Sequence, residues 1–172
     1  MTARTPIETK NLDRYGDPAL AWDRAVAALS VPPSQDLTWF LGTVQPDGRP
    51  HAAGVGALYL DGDVYFTSSP AARKARNLAA SSRGTFSVRL EGIDVVLEGT
   101  AERVTDPAVL DSLAARFREG GWPVEVEGDA FTAPYSAPSA GPPPWSLYRF
   151  RFETVFGVAT AEPYGATRWR FA

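Results

Sequence analysis

The stretch TWFLGTVQPDGRPHAAGVGALYLDGDVYFTS, residues 38–68, decides the fold. Two short polar segments, PDGR at 46–49 and DGD at 61–63, divide it and carry the residues that tight turns favour. The three segments between these turns are rich in apolar and β-forming residues. They span 38–45, 51–60 and 64–68. Short connections between such segments are typical of a β-meander, so we predict three consecutive antiparallel strands.

Working outward, similar signals predict a second hairpin and three strands near the end of the chain. Their ranges are 84–90, 94–104, 146–153, 155–160 and 167–171. Helices are predicted where a capping Asp or Ser is followed by proline. They cover 17–30, 69–80 and 107–119. This order of elements favours a mainly β (α+β) fold, in which an antiparallel barrel carries a few peripheral helices.

The chain divides into an N-terminal arm and helix, residues 1–30, and a barrel domain, residues 31–172. Within the barrel domain, residues 120–144 are rich in glycine, proline, alanine and serine, and we predict a long loop. Loops of this length tend to be lids or interface arms, and an unpacked surface excursion is the alternative. Three aromatic residues favour packing against another part of the protein. They are Trp122, Phe131 and Tyr135.

Composition excludes several classes of site. The 172 residues include no cysteine, which excludes thiolate metal sites and cysteine nucleophiles, and one histidine, which argues against a zinc site. The formal net charge is −3 and there is no basic block, so we expect no nucleic-acid partner. No apolar run approaches the roughly 20 residues of a membrane helix, and residues 1–17 lack the apolar core of a secretory signal. We therefore expect a cytoplasmic protein without a membrane partner.

The richest chemistry lies in VYFTSSPAARKARNLAAS, residues 64–81. A strand that ends in hydroxyl residues leads directly into a helix whose first turns carry Arg73 and Lys74. The first turn of a helix has unpaired backbone N–H groups and partial positive charge, and both side chains can bind phosphate. The pattern therefore indicates a phosphate site. In the alternative interpretation, Ser69 only caps the helix and both cations are solvated.

Three motifs together resemble a known family. TVQPDGRPHAAGVGALYLDGDVYFTSS, PAARKARNLAAS and DVVLEGTAERV look like the pyridoxamine-5′-phosphate-oxidase-like split β-barrels. Within them the chain is most similar to the flavin/deazaflavin-dependent oxidoreductases, as is its ending TRWRF. The resemblance covers residues 38–104 well and the last strands moderately. It implies a split barrel that works as a homodimer and binds FMN, or alternatively an 8-hydroxy-5-deazaflavin coenzyme, at the dimer interface.

The resemblance also implies which residues bind the cofactor. Carried over by position, they are Val55, Gly56, Thr67, Ser68, Arg73, Lys74, Asn77, Arg168 and Trp169. The hydroxyl and basic residues would hold the phosphate, with Asn77 in support. Val55 and Gly56 would lie along the flavin ring, where small residues let a planar ligand approach the backbone. Arg168 and Trp169 would close the site from the other subunit, and ordinary barrel core is the alternative for Trp169.

Two further positions are candidates for the site. His51 follows the PDGRP turn, where the family often has histidine, and could contact cofactor or substrate; packing at the strand start is the alternative. Asp94 stands where pyridoxamine phosphate oxidases have glutamine. A carboxylate facing the pyrimidine edge of a flavin would disfavour the negative charge of the reduced ring, so either Asp94 points away or the cofactor is bound differently. This difference, together with the missing C-terminal Arg-Leu-x-Pro pattern, argues against pyridoxamine phosphate as substrate.

The function implied is hydride transfer between the cofactor and a small organic acceptor, for which the protein supplies binding and orientation. The sequence identifies no catalytic residue. One alternative is a carrier that binds flavin or haem without catalysis, with His51 as the one histidine able to ligate haem iron. A weaker alternative, a domain that has lost its ligand, is disfavoured because both Arg73 and Lys74 are retained.

Overall fold

The structure is a computed structural model that describes residues 4–32, 34, 36–137 and 140–172. Its strands are β1 (Glu8–Asn11), β2 (Trp39–Val44), β3 (Pro50–Val55), β4 (Ala57–Leu60), β5 (Asp63–Ser68), β6 (Arg83–Leu90), β7 (Ile93–Val104), β8 (Glu125–Glu127), β9 (Ala130–Thr132), β10 (Ser146–Ala159) and β11 (Ala166–Arg170). Its helices are α1 (Trp22–Leu29), α2 (Arg73–Ala80) and α3 (Pro107–Glu119). None of the helices in these ranges is long and apolar enough to cross a membrane.

Within the described residues, nine strands form one antiparallel sheet. The order is β1–β11–β10–β7–β6–β2–β3, while β5 pairs with both β10 and β4. The predicted turns are present: Gly48 has a φ of +86°, and both Asp61 and Gly62 have positive φ, as two-residue hairpin turns require. The meander, the second hairpin β6–β7 and the mainly β class are therefore confirmed.

The predicted return strand 51–60 is instead two strands, because the chain changes partner at Gly56. β3 pairs with β2, where Val55 lies opposite Trp39, and β4 pairs with β5, where Ala57 lies opposite Phe66. The hydrogen-bonded sheet runs from β3 through β2, β6, β7 and β10 to β5 and β4, and the chain itself links its two ends, β3 and β4, at Gly56. This arrangement confirms the predicted split β-barrel.

Strand β10 pairs with three other strands of the sheet, β5, β7 and β11. The sequence predicts two strands here, 146–153 and 155–160, whereas the structure has one strand of 14 residues. One edge of β10 pairs with β7, with a register shift next to Glu153, and the other edge pairs first with β5 and then with β11. The backbones come close at this shift, and a Cβ on Gly99 would overlap the Arg151 carbonyl oxygen. Glycine is therefore required at position 99.

The interior of the barrel is aromatic. Trp39, Phe66, Phe86 and Phe150 are at most 1% exposed, and Phe86 meets Phe66 and Phe150 edge-on with ring centroids 5.3 and 5.1 Å apart. Such ring pairs contribute about 0.5–1.5 kcal/mol each beyond the area that they bury. This packing fixes the strands whose ends position the site.

A second hydrophobic cluster lies under α3, whose predicted bounds are confirmed. Asp106 caps the helix by accepting hydrogen bonds from the backbone N–H groups of Ala108 and Val109 at 2.9 and 3.1 Å. The buried residues of α3 include Leu110, Leu113 and Phe117, as predicted, whereas Val109 is 36% exposed. The cluster also contains Phe131 and Leu147, so it joins α3 to the segment that follows and to β10.

Two helices begin later than predicted, because the expected capping residues form separate turns. α1 begins at Trp22 rather than at Asp17, whose backbone N–H donates to Asp13 Oδ1 at 2.9 Å. α2 begins at Arg73, and Ser69 belongs to a turn before it. Short polar side chains compete in this way for backbone groups near a helix start.

Two segments predicted to be irregular contain strands. In the N-terminal arm, β1 pairs with β11, with Glu8 opposite Arg170, and all four residues of β1 are exposed. β1 therefore lacks the apolar alternation that marks a strand in a sequence. Residues 120–144 contain the hairpin β8–β9, and Phe131 is fully buried. Within its described residues, the segment therefore packs against the rest of the chain through buried positions such as Phe131, which favours packing over an unpacked surface excursion.

Candidate cofactor site

A cavity of about 560 Å³ lies beside the break in the barrel. It is lined by residues 54–57, where β3 gives way to β4, and by Thr67 and Ser68 at the end of β5. Four aromatic residues from α3 and the following segment also line it, and we call them the aromatic wall: Phe117, Trp122, Tyr135 and Trp145. The structure therefore brings four predicted residues together at one cavity. These are Val55, Gly56, Thr67 and Ser68.

The strand break leaves backbone accessible at the cavity. No atom lies within 4 Å of the position that a Cβ would take on Gly56. On Gly54, an added Cβ would lie 3.1 Å from Thr38 Cγ2, which is a tight contact. Small residues at these two positions therefore leave room for a ligand to approach the strand closely; the sequence analysis predicts this for Gly56.

The two predicted phosphate-binding cations of α2, Arg73 and Lys74, have different surroundings. Arg73 is exposed, whereas only 8% of the surface of Lys74 is exposed. Burial lowers the pKa of Lys74, and no charged neighbour in the described part of the chain opposes this shift. Neither cation lines the cavity; they follow Thr67 and Ser68 in the chain across a four-residue turn. Most of the Lys74 side chain is thus out of water with no anion beside its ammonium among the described residues, and a bound anion would offset the cost of this partial desolvation.

Asn77 connects α2 to the sheet. Its Nδ2 donates to Thr43 Oγ1 on β2 at 2.9 Å, and both side chains are buried. Lys74 lies one turn earlier on the same face of α2, so it too is directed at the sheet. The sequence predicts Asn77 as support for the phosphate; the structure gives it a structural hydrogen bond next to Lys74.

His51 lies near this contact and outside the cavity lining. It is the β3 residue opposite Thr43, so the two side chains share one face of the sheet. Its Nδ1 is buried and has no hydrogen-bond partner among the described residues. This position of His51 agrees better with the alternative prediction, packing at the start of a strand, than with contact to a ligand in the cavity.

The structure corrects the predicted role of Trp169. Its side chain is fully buried in the core of the chain, with its ring centroid 5.3 Å from that of Trp22. It fills the space above Gly157, where a Cβ would lie 2.7 Å from the indole. It therefore does not extend toward a second subunit, and the alternative of ordinary barrel core holds. Its neighbour Arg168 pairs with Glu8 at 2.5 Å, which fastens β1 to β11.

Asp94 is not among the described residues that line the cavity. Both of its carboxylate oxygens accept hydrogen bonds from Arg89 across the β6–β7 hairpin, at 2.8 and 2.9 Å. This pairing lowers the pKa of Asp94 below its ordinary value. Of the two alternatives that the glutamine-to-aspartate difference leaves open, the structure supports the one in which the carboxylate does not face the ring.

The aromatic wall is missing from the sequence-based prediction of the site. A signal was present, since Trp122 and Tyr135 interrupt a segment otherwise rich in small residues and proline. The sequence predicts that these residues pack on something, but not that the surface they pack on borders a cavity. That information comes from the β10 pairing, which brings Trp145 back beside β5.

The comparison with protein families agrees with this architecture. The family model described as pyridoxamine 5′-phosphate oxidase matches residues 27–159. The chain belongs to this family. Among curated protein sequences, none is significantly similar to the chain.

Solved structures of the family share the fold at low sequence identity. An F420 reductase is 22% identical, with a TM-score of 0.51 over 75% of this chain and 93% of that chain. A FAD-binding protein from Mesorhizobium loti is 17% identical, with a TM-score of 0.54 over 89% and 96%. A pyridoxamine 5′-phosphate oxidase-related, FMN-binding protein from Nostoc punctiforme is 18% identical, with a TM-score of 0.50 over 86% and 82%. At these identities the likeness concerns the fold.

Substitution Asn77→Ala is expected to lower the free energy of unfolding by about 1–3 kcal/mol, because it leaves the buried Thr43 hydroxyl without its partner. Chemical denaturation measures this loss. The double variant Thr43→Val with Asn77→Leu removes both polar groups and should recover part of it. An Asn77→Ala protein as stable as the wild type would show that this hydrogen bond does not hold α2 against β2.

Proposed function

We propose that this protein binds a flavin-type cofactor through its phosphate and uses it to transfer hydride to a small organic acceptor. The cofactor is FMN or an 8-hydroxy-5-deazaflavin coenzyme, and the flavin-type ring supplies the redox chemistry when it is bound. The chain supplies the cation for the phosphate and a cavity with a mainly apolar lining for the ring. No side chain is assigned a catalytic role.

The observation that carries the proposal is the buried cation Lys74. A lysine ammonium is strongly hydrated, and a side chain that is largely buried, as that of Lys74 is, removes part of this hydration. Here Lys74 follows directly on Arg73, and both come one turn after the hydroxyl residues Thr67 and Ser68 that line the cavity. A phosphate beside these residues would pair the buried charge. The residues present therefore fit a phosphate-bearing ligand.

The cavity and the comparisons support a ring system attached to that phosphate. The volume of about 560 Å³ lies within the usual range for small-molecule sites. Backbone at Gly54 and Gly56 and rings of the aromatic wall are the kinds of surface that planar ligands contact. Proteins with a similar fold include an FMN-binding protein, a FAD-binding protein and an F420 reductase.

The alternative of a haem carrier has less support. A haem site usually requires an axial ligand, and the one histidine of the sequence, His51, is not among the residues that line the cavity. A flavin carrier without catalysis would use the same cavity and the same cation. Turnover of an acceptor distinguishes such a carrier from an enzyme.

We also propose that the protein is a homodimer with the cofactor site at its interface. The outer face of the sheet carries exposed apolar side chains at Phe40, Val96 and Val158, which are 53%, 36% and 51% exposed. Phe40 lies 4.0 Å from the Cβ position of Gly54, so this face continues into the cavity lining. A second copy placed on this face would bury the apolar side chains and border the open side of the cavity.

Substitution Lys74→Met tests the phosphate site. We expect the dissociation constant for FMN to rise by roughly 10- to 100-fold, since a charged hydrogen bond to phosphate is worth about 1.5–3 kcal/mol. The cofactor-free variant should be at least as stable as the wild type, because the buried unpaired charge is gone. Titration by absorption or fluorescence, in parallel with FMN and with the deazaflavin coenzyme, measures affinity and identifies the preferred cofactor.

Arg76→Met is the matched control, because Arg76 is an exposed cation two residues along the same helix. It should change the FMN affinity little. Equal affinities of the wild type and the Lys74→Met protein would contradict the phosphate site. A wild-type protein that binds neither cofactor would contradict the proposed function as a whole.

Substitution Phe40→Glu tests the dimer. A charge on the apolar face should convert a dimer into a monomer and weaken cofactor binding together with it, as analytical ultracentrifugation and FMN titration would show. Tyr164→Glu is the control, because Tyr164 is 50% exposed and does not line the cavity. A wild-type monomer that binds the cofactor fully would rule out the interfacial site.

A further inference from the structure

We infer that the indole N–H of Trp145 is a hydrogen-bond donor for a ring carbonyl, so that the cavity selects ring molecules that carry one. Such carbonyl groups occur on the flavin-type ring and on quinones and conjugated ketones, which accept hydride. The inference rests on the proposed function only in naming these molecules as the source of the carbonyl. The donor itself is a property of the chain.

Trp145 is held firmly at the cavity. It precedes Ser146, which pairs with Ser68 of β5, and it belongs to the aromatic wall. Its backbone N–H and C=O both pair with Phe131 at 2.8 Å, and the residue is 2% exposed. The indole is therefore in place before a ligand arrives, which lowers the entropic cost of binding to it.

With its backbone paired, Trp145 has one polar group left, the indole N–H. Nε1 is buried and has no hydrogen-bond partner among the described residues. The neighbouring rings of Trp122 and Tyr135 lie at 48° and 44° to the indole, so neither meets it edge-on. A buried indole N–H usually finds an acceptor, because leaving it unpaired costs free energy. At this position a molecule in the cavity can supply the acceptor.

Two other tryptophans, Trp39 and Trp169, also have an Nε1 without a partner among the described residues, but their surroundings differ. The Trp39 indole meets the Phe86 ring edge-on, at 85° with centroids 5.9 Å apart, and an N–H can face a ring in such a pair. Trp169 is fully buried in the core, and neither residue lines the cavity. Of these three described tryptophans, Trp145 is the one that a ligand in the cavity can contact.

The indole N–H adds a selectivity that the other polar groups of the lining lack. Apart from Tyr135, these are small hydroxyl side chains, which both donate and accept: Ser34, Thr38, Thr67, Ser68 and Ser136. An indole N–H only donates, so it favours a hydrogen-bond acceptor on the ligand. The aromatic wall around it favours a flat ligand. A carbonyl conjugated to a ring meets both requirements.

The direct test is a ¹H–¹⁵N NMR spectrum of the indole signals of the full chain, recorded with 1,4-naphthoquinone and with naphthalene. Substitution of tryptophans one at a time by phenylalanine assigns the signals. The quinone should move the Trp145 N–H proton downfield, because a hydrogen bond to a carbonyl deshields it. Naphthalene has the same two rings without a carbonyl and should not. Trp39 and Trp169 are controls within the same spectrum, and their signals should stay in place.

Trp145→Phe keeps an aromatic ring and removes the donor. It should weaken binding of 1,4-naphthoquinone by roughly 3- to 10-fold, as expected for one neutral hydrogen bond, and change the naphthalene affinity less. The naphthalene affinity thus reports any change in cavity shape in the same variant. Trp39→Phe is the matched control, since it removes an equally buried, unpaired indole N–H outside the cavity lining. It should leave the ratio of the two affinities unchanged.

Two further samples identify the source of the carbonyl. A downfield shift of the Trp145 signal with riboflavin alone assigns the donor to the cofactor ring. A shift on adding 1,4-naphthoquinone to FMN-loaded protein assigns it to the acceptor.

A Trp145 signal that none of these carbonyl-bearing rings moves downfield would overturn the inference, as would equal effects of Trp145→Phe and Trp39→Phe on the affinity ratio. Cofactor binding is measured separately by absorption. A protein that binds no flavin-type cofactor, but whose Trp145 signal still responds to the quinone, would refute the proposed function and leave the donor role standing.

Discussion

The backbone groups of a sheet must find hydrogen-bond partners, and this barrel meets that requirement by changing partners along single strands. The chain leaves β2 for β5 at Gly56, and one edge of β10 leaves β5 for β11. β3 and β4 pair with different strands, so the sheet is interrupted between them. The cavity lies at that point, and small residues there keep it open. The cavity therefore results from the change of strand partner at Gly56.

The strands that border the cavity also position the Lys74 cation. β5 ends in Thr67 and Ser68 beside the cavity, and α2 follows after one turn, held against β2 by the hydrogen bond between Asn77 and Thr43. This anchoring directs Lys74 toward the sheet and removes most of its side chain from water, although no anion in the described part of the chain pairs with it. A bound anion would offset the cost of this unpaired charge. Cavity and cation together therefore favour a ligand with a planar part and a phosphate.

Much of this could be predicted from local sequence signals. Turn residues identified the meander, the Asp106 cap fixed the start of α3, and the strand-to-helix segment 64–81 contained both the hydroxyls and the cations. The failures have a common cause in nonlocal contacts. The partner change at Gly56, the burial of Trp169 and the position of the aromatic wall each depend on residues far away in the chain. The role of single residues in turns, caps and charged segments could therefore be predicted, whereas the residues that surround them in the folded chain could not.

The most direct test of the account is the pKa of the Lys74 ammonium, measured by NMR on protein labelled at lysine Cε, without ligand and with FMN or riboflavin. Burial lowers this pKa in the free protein, and a phosphate beside the ammonium should raise it, because a nearby anion favours the charged form. Riboflavin has the same ring without the phosphate and should leave it low. A Lys74 pKa that FMN does not change, or that riboflavin raises equally, would contradict the account.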